Sequence, residues 1–178
     1  MVAFNSIAVA ATTLFSLTLA APADVPPTQI IHRIYAGSTV ENGGLHFEPD
    51  NVVADIGDQI EIHFLPKNHA VVQSSFDEPC KPLEGGIFSG FNFATPEGEA
   101  DNVFTFTVKD TKPFWYYCPQ TNGNHCQKGM AGVINQDFSS DKTLAAYKIK
   151  ANGTGVSVQP STNPKDSFGG SIVPNKPL

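Results

Sequence analysis

Thirteen residues from Cys118 to Met130 place a thiol, an imidazole and a thioether on one short segment, Cys118-Pro119-Gln120-Thr121-Asn122-Gly123-Asn124-His125-Cys126-Gln127-Lys128-Gly129-Met130. Soft sulfur donors combined with imidazole select copper, which must pass between Cu(I) and Cu(II), and two His with one Cys and a weak axial Met complete such a donor set. The second imidazole is supplied by His69, in Asn68-His69-Ala70-Val71-Val72. The order is informative, because a loop carrying three donors closes only onto a fourth from a neighbouring strand. Taken singly, each residue has a plainer role: Met130 in a core, His125 in a loop, His69 at the end of a strand. The joint arrangement of four donor types in one order favours a metal. His32, His46 and His63 have no such partners and read as surface or packing residues.

The chain has three cysteines, Cys80, Cys118 and Cys126. An oxidising compartment pairs two and leaves one, so an odd thiol calls for a role. Metal ligation by a thiolate is one.

The elements that must position these donors are short. Ile30 to Ala36, Leu45 to Phe47, Gln59 to Phe64, Val71 to Val72, Val103 to Val108, Phe114 to Cys118 and Ala131 to Ile134 are rich in β-branched and aromatic residues and read as strands. Gly43-Gly44, Glu48-Pro49-Asp50-Asn51, Ile56-Gly57-Asp58, Gly85-Gly86 and Pro96-Glu97-Gly98 separate them as turns. In Gln59 to Phe64 the alternation directs Ile60, Ile62 and Phe64 to the core and His63 outward; in Val103 to Val108 it directs Phe104, Phe106 and Val108 inward. Many short strands with frequent turns indicate an all-β sandwich or Greek-key barrel. Ser140 to Ile149 has an N-cap residue and apolar spacing that predict one short helix. From Ala151 onward Gly, Ser, Pro and Asn dominate, which predicts a flexible C-terminal tail.

The Cys118 to Met130 segment, with a cysteine directly after His125 and a glycine directly before Met130, resembles the phytocyanin branch of the cupredoxins, and more closely the secreted, serine-rich cupredoxin-like proteins of fungi. Asn68-His69 with Val71 and Val72, and Cys80 eleven residues after His69, matches the same pattern. The resemblance covers Ile30 to Gln136. It implies a cupredoxin-like Greek-key β-sandwich binding one copper ion through His69, Cys118, His125 and Met130, with a Cys80–Cys126 disulfide. It also implies that Asn68 ties the His69 loop to the Cys118 loop, its amide donating to a carbonyl near Cys118, and that electrons enter through His125. Six residues separate Cys118 from His125, where the phytocyanin pattern has four.

A copper held by two His, one thiolate and a weak Met has no open position for water or substrate, which argues against hydrolysis or oxygen activation and for one-electron transfer rather than enzymatic turnover. Five histidines are too few for a multicopper oxidase. A lytic polysaccharide monooxygenase requires an N-terminal His, which this chain does not offer. The alternative function is extracellular copper sequestration, or association with the cell wall, without an electron-carrier role.

Ile7 to Ala20 is apolar or small and uncharged and leads into Leu19-Ala20-Ala21-Pro22-Ala23-Asp24, which reads as a signal peptide over 1–20 with cleavage between Ala20 and Ala23. The expected organisation is then a copper-binding domain over 24–136 and a C-terminal extension over 137–178. No later stretch reaches the roughly 18 apolar residues of a membrane span. Ser171 to Leu178 lacks the hydrophobic tail that directs a glycolipid anchor. With 17 acidic against 11 basic residues, net charge −6, and no Lys/Arg cluster, nucleic acid is excluded as a partner. An extracellular redox partner or a cell-wall component remains. Asn152-Gly153-Thr154 is the single glycosylation sequon.

Overall fold

In the computed structural model, which describes residues 29–38 and 44–176, the alternating segments become two facing β-sheets. The expected signal peptide lies outside the described residues. Nine strands are formed: β1 Ile31–Ala36, β2 Phe47–Glu48, β3 Asn51–Val52, β4 Gln59–Phe64, β5 Val72–Ser74, β6 Asn102–Thr107, β7 Phe114–Tyr117, β8 Ala131–Ile134 and β9 Ser171–Pro174; one helix, α1 Leu144–Asn152, precedes β9. One sheet runs β2-β1-β4-β6-β9 and the other β3-β8-β7-β5. The pairs β1–β4 and β3–β8 are parallel and the remaining pairs antiparallel.

Period-2 patterning fills the space between the sheets. Ile60, Ile62 and Phe64 of β4 meet Ile34, Phe47, Phe104, Tyr116 and Ile134 in one buried cluster that also contains Cys118 and Met130. Each such aliphatic or aromatic side chain contributes about 1.5–3 kcal/mol on leaving water. Phe106 and Phe114 stack at 5.2 Å and close this cluster as partly buried residues.

The second sheet is apolar on both faces, because α1 covers its outside. Tyr116 points into the sandwich against Phe47, while Trp115 and Tyr117 point outward into a second cluster with Leu144, Tyr147 and Ala151 of α1. Gly132 makes room for the Tyr116 phenol, since a Cβ there would lie 2.3 Å from its hydroxyl. The helix starts later than the sequence suggests. Its N-cap is Thr143, whose side chain accepts from the Ala146 amide, rather than Ser140.

Two expectations are corrected. Residues beyond Ala151 do not form a flexible tail. Ser157 is buried, the Val158 amide donates to the Cys80 carbonyl, Phe168 forms a bridge with Phe88, and Ser171–Pro174 adds β9 to the edge of β6. The free backbone groups of an edge strand recruit a partner whatever its side chains, so the polar, Gly-rich composition did not decide the outcome. His63 is the second case: it occupies the outer face as the alternation requires, but it is 2% exposed. Tyr35 packs on its ring at 5.1 Å, and Glu99 takes its Nδ1 at 2.8 Å.

Candidate metal centre

Sheet register brings the four sequence-predicted donors to one end of the sandwich. Val72 of β5 pairs with Tyr117 of β7 in antiparallel register, so His69, in the loop before β5, lies beside Cys118, which follows β7. Tyr117 pairs with Ala131 of β8, so Met130 lies across from Cys118, and the Cys118 amide donates to the Met130 carbonyl at 3.0 Å. Between them the chain closes in tight turns. The His125 amide donates to the Gln120 carbonyl, and the His125 carbonyl accepts from the Met130 amide. Asn124 and Gly123 adopt positive φ at 53° and 89° to permit this.

Cys118 Sγ lies 3.5 Å from His125 Nδ1 and 3.9 Å from His69 Nδ1. These three donor atoms fall within 4.8 Å of one another, and among the described residues no other set of three His, Cys or carboxylate groups does so. The Met130 side chain is fully buried in the same cluster as Cys118.

The electrostatics suit a cation. His69 Nε2 lies 3.3 Å from the Pro66 carbonyl, which holds the proton on Nε2 and leaves the Nδ1 lone pair facing the sulfur. Burial lowers the pKa of His69. Burial, then the neighbouring His69 and Lys128 charges, lower that of His125 to about 4. Both rings are therefore neutral donors at physiological pH. Burial pushes the Cys118 thiol up to about 12, opposed by hydrogen bonds from the Ala70 and Gln120 backbone. A buried thiol with these donors aimed at it becomes a thiolate when a positive ion shares the site.

The remaining predicted residues surround this centre. Cys80 and Cys126 form a disulfide, leaving Cys118 as the free thiol. The His69 and Cys118 loops are joined, but by Gln120 Nε2 donating to the Asn68 carbonyl at 3.5 Å; the Asn68 side-chain oxygen is buried without a partner. Asn152 is exposed at the end of α1, with Nδ2 donating to the Gln127 carbonyl at 3.2 Å.

Two supporting residues escape the sequence reading. Gly37, at φ 102°, lies against the His69 ring so closely that a Cβ would come within 2.9 Å of Nε2. Gln127 donates to Thr154 Oγ1 at 2.9 Å and accepts from Ser157 Oγ at 3.0 Å. With the Val158 amide on the Cys80 carbonyl and Tyr117 donating to the Val158 carbonyl, this ties residues 152–158 to the back of the donor loop. Proximity of glycine to glycine is common, so only the sharp turn at Gly37 signalled its role; Gln127 left no signal.

No protein-family model matches the chain. It is 38% identical over 121 residues to "Probable GPI-anchored cupredoxin-1" of Arthroderma benhamiae, covering 68% of this chain and 60% of that protein. It is also 38% identical over 132 residues to "Extracellular serine-rich protein" of the same fungus, covering 74% and 50%. The chain thus spans between half and three-fifths of the length of these curated relatives. Among solved structures, pseudoazurin from Hyphomicrobium denitrificans aligns with 67% of this chain and 93% of its own at 18% identity and TM-score 0.41. Auracyanin A from Chloroflexus aurantiacus aligns with 60% and 97% at 14% identity and TM-score 0.42.

Proposed function

Because this chain belongs to the cupredoxin family, we propose that it is a secreted type 1 copper protein that binds one copper ion through His69, Cys118, His125 and Met130 and transfers one electron at a time. The observation that carries this reading is the convergence of two neutral Nδ1 lone pairs on one buried thiol. Copper supplies the one-electron couple; the chain supplies the frame. Pro66 fixes the His69 tautomer, the Ala70 and Gln120 backbone stabilises negative charge on Cys118, and full burial of Cys118 and Met130 keeps water away from the sulfurs. Donors held by backbone hydrogen bonds on both sides move little between oxidation states, which lowers the cost of the transfer. His125, 9% exposed, is the route between the centre and the surface.

Secretion is supported by the signal-like N-terminus, by the Cys80–Cys126 disulfide and by the extracellular wording in one relative's name. An exposed Asn152 in a sequon makes this chain a glycoprotein in that compartment.

Titration of the reduced, metal-free protein with Cu(II) tests the reading. One equivalent is expected to produce the intense visible thiolate-to-copper absorption, to be bleached and restored by a small reductant and oxidant, and to consume no oxygen with phenolic substrates. Cys118→Ser is expected to abolish the band while retaining the fold seen by circular dichroism. A band that survives this substitution overturns the assignment.

A further inference from the structure

The molecule is acidic as a whole, yet the face around the two imidazoles is not. Segments 62–76 and 111–136, which carry all four donors, contain three lysines, Lys67, Lys112 and Lys128, and no Asp or Glu. A cavity of about 270 Å³ opens at His69 and His125, lined also by Lys67, Asn68, Gln120 and Asn122. A neighbouring one shares Asn68 and Gln120 and adds Lys165. No carboxylate lines either cavity; of the acidic residues, Asp24 and Glu41 lie outside the described residues.

Lysines elsewhere are neutralised. Lys142 and Lys150 pair with Asp77, Lys148 with Asp50 and Lys81 with Glu78. Among the described residues, Lys67, Lys128 and Lys165 have no carboxylate partner. All three are exposed, and the charge of Lys128 is felt at His125. Cations left unpaired in a chain of net charge −6 polarise the molecule toward this end.

We propose that the Lys67–His125–Lys128 face docks an acidic patch on a partner protein that carries its own one-electron centre. The proposal rests on the electron-transfer reading, because exchange of an electron requires a partner redox group close to His125, which an acidic polysaccharide does not have. Opposite charge steers such encounters and raises the association rate without a large buried area. Amide side chains at Asn68, Gln120 and Asn122 offer hydrogen bonds without fixing a charge, which fits a short-lived contact at the small end of interface sizes.

The test uses the full metal-free chain, isotope-labelled, with paramagnetic hexacyanochromate(III) as an anionic probe and hexaamminechromium(III) as its cationic counterpart. The trianion is expected to broaden the amide signals of Lys67, Asn68, Gln120 and Lys128, and the trication is not. Lys67→Glu with Lys128→Glu is expected to weaken the effect about tenfold at low ionic strength, Lys67→Ala to give a smaller loss, and Lys112→Glu, at the opposite end of β7, to leave it in place. A poly-glutamate peptide is expected to displace the trianion better than polygalacturonate of equal charge. Broadening centred elsewhere, an equal response to both ions, or indifference to the double charge reversal overturns the face. Stronger displacement by polygalacturonate overturns the protein partner. Failure of the copper reading appears separately, as absence of the thiolate band on adding Cu(II) while the trianion result stands.

Discussion

Each ligand of the centre is backed by a residue whose contribution is separable. Met130 lies across the sheet from Cys118, and its thioether is the weak axial donor of the proposed set. Met130→Gln replaces soft sulfur with a harder oxygen that favours Cu(II), so copper binding is expected to persist while the reduction potential falls. Protein-film voltammetry checks this, and an unchanged potential places Met130 in the core alone. Gly37 acts through His69. A side chain there is strained at φ 102° and collides with the Nε2 edge, so Gly37→Ala is expected to push the ring from its place and to lower copper affinity about 10–100-fold, the usual effect of disturbing a group that orients a ligand. Competition with a chelator of known affinity measures it. The donors themselves were legible in the sequence because chemistry restricts which residue types bind copper. Gly37 and Pro66 were not, because a backbone carbonyl or a missing side chain acts through position alone.

At the scale of elements, the C-terminal extension is the largest departure from sequence-based expectation. It is also part of the metal centre's frame. Gln127, one residue from the disulfide and two from His125, is 8% exposed and satisfies both Thr154 and Ser157. Gln127→Ala leaves these buried partners unpaired, at a cost of about 1–3 kcal/mol, and frees the donor loop from behind. Urea denaturation is expected to show the loss of stability, and iodoacetamide is expected to label Cys118 of the metal-free protein faster than in the parent chain. Strands β4 and β8 coincide with their predicted limits because strict alternation or a run of apolar residues marks a strand buried on one or both faces. Strands β3 and β9 escaped because they are short or polar and are held by backbone pairing with β8 and β6. Gly170 illustrates the difficulty: it reads as a tail residue, yet a Cβ there would sit 2.4 Å from the Phe104 ring. The disulfide closes a separation of 46 residues, which the chain-entropy account values at roughly 4 kcal/mol. It therefore joins the two donor-bearing loops thermodynamically as well as covalently.

For the molecule as a whole, pH acts first through the imidazoles. His125 in the metal-free fold titrates near 4, against an ordinary value of 6.5, and His69 is shifted in the same direction. Between these limits the unfolded chain takes up protons that the folded chain refuses, so stability is present in full above about pH 6.5 and declines as the pH falls toward about 4. Further acidification removes the contributions of Asp58, held down by His32, and of Asp77, held down by Lys142 and Lys150. Thermal unfolding of the metal-free protein across this range is expected to show the first loss between pH 6.5 and 4, and a flat profile there contradicts the buried, neutral imidazoles.

The packing of α1 on the second sheet also has an optical consequence. Trp115 is the single tryptophan of the chain, and its indole lies parallel to the Tyr147 ring, 5.3 Å away and 6° from coplanar. Tyr147 in turn bonds Ser74 of β5 at 2.6 Å. All of the intrinsic indole emission therefore originates at the seam between helix and sheet, three residues from the thiol. The fluorescence of the unlabelled molecule reads out one joint, the one through which the extension and the donor loop are held to the same strand.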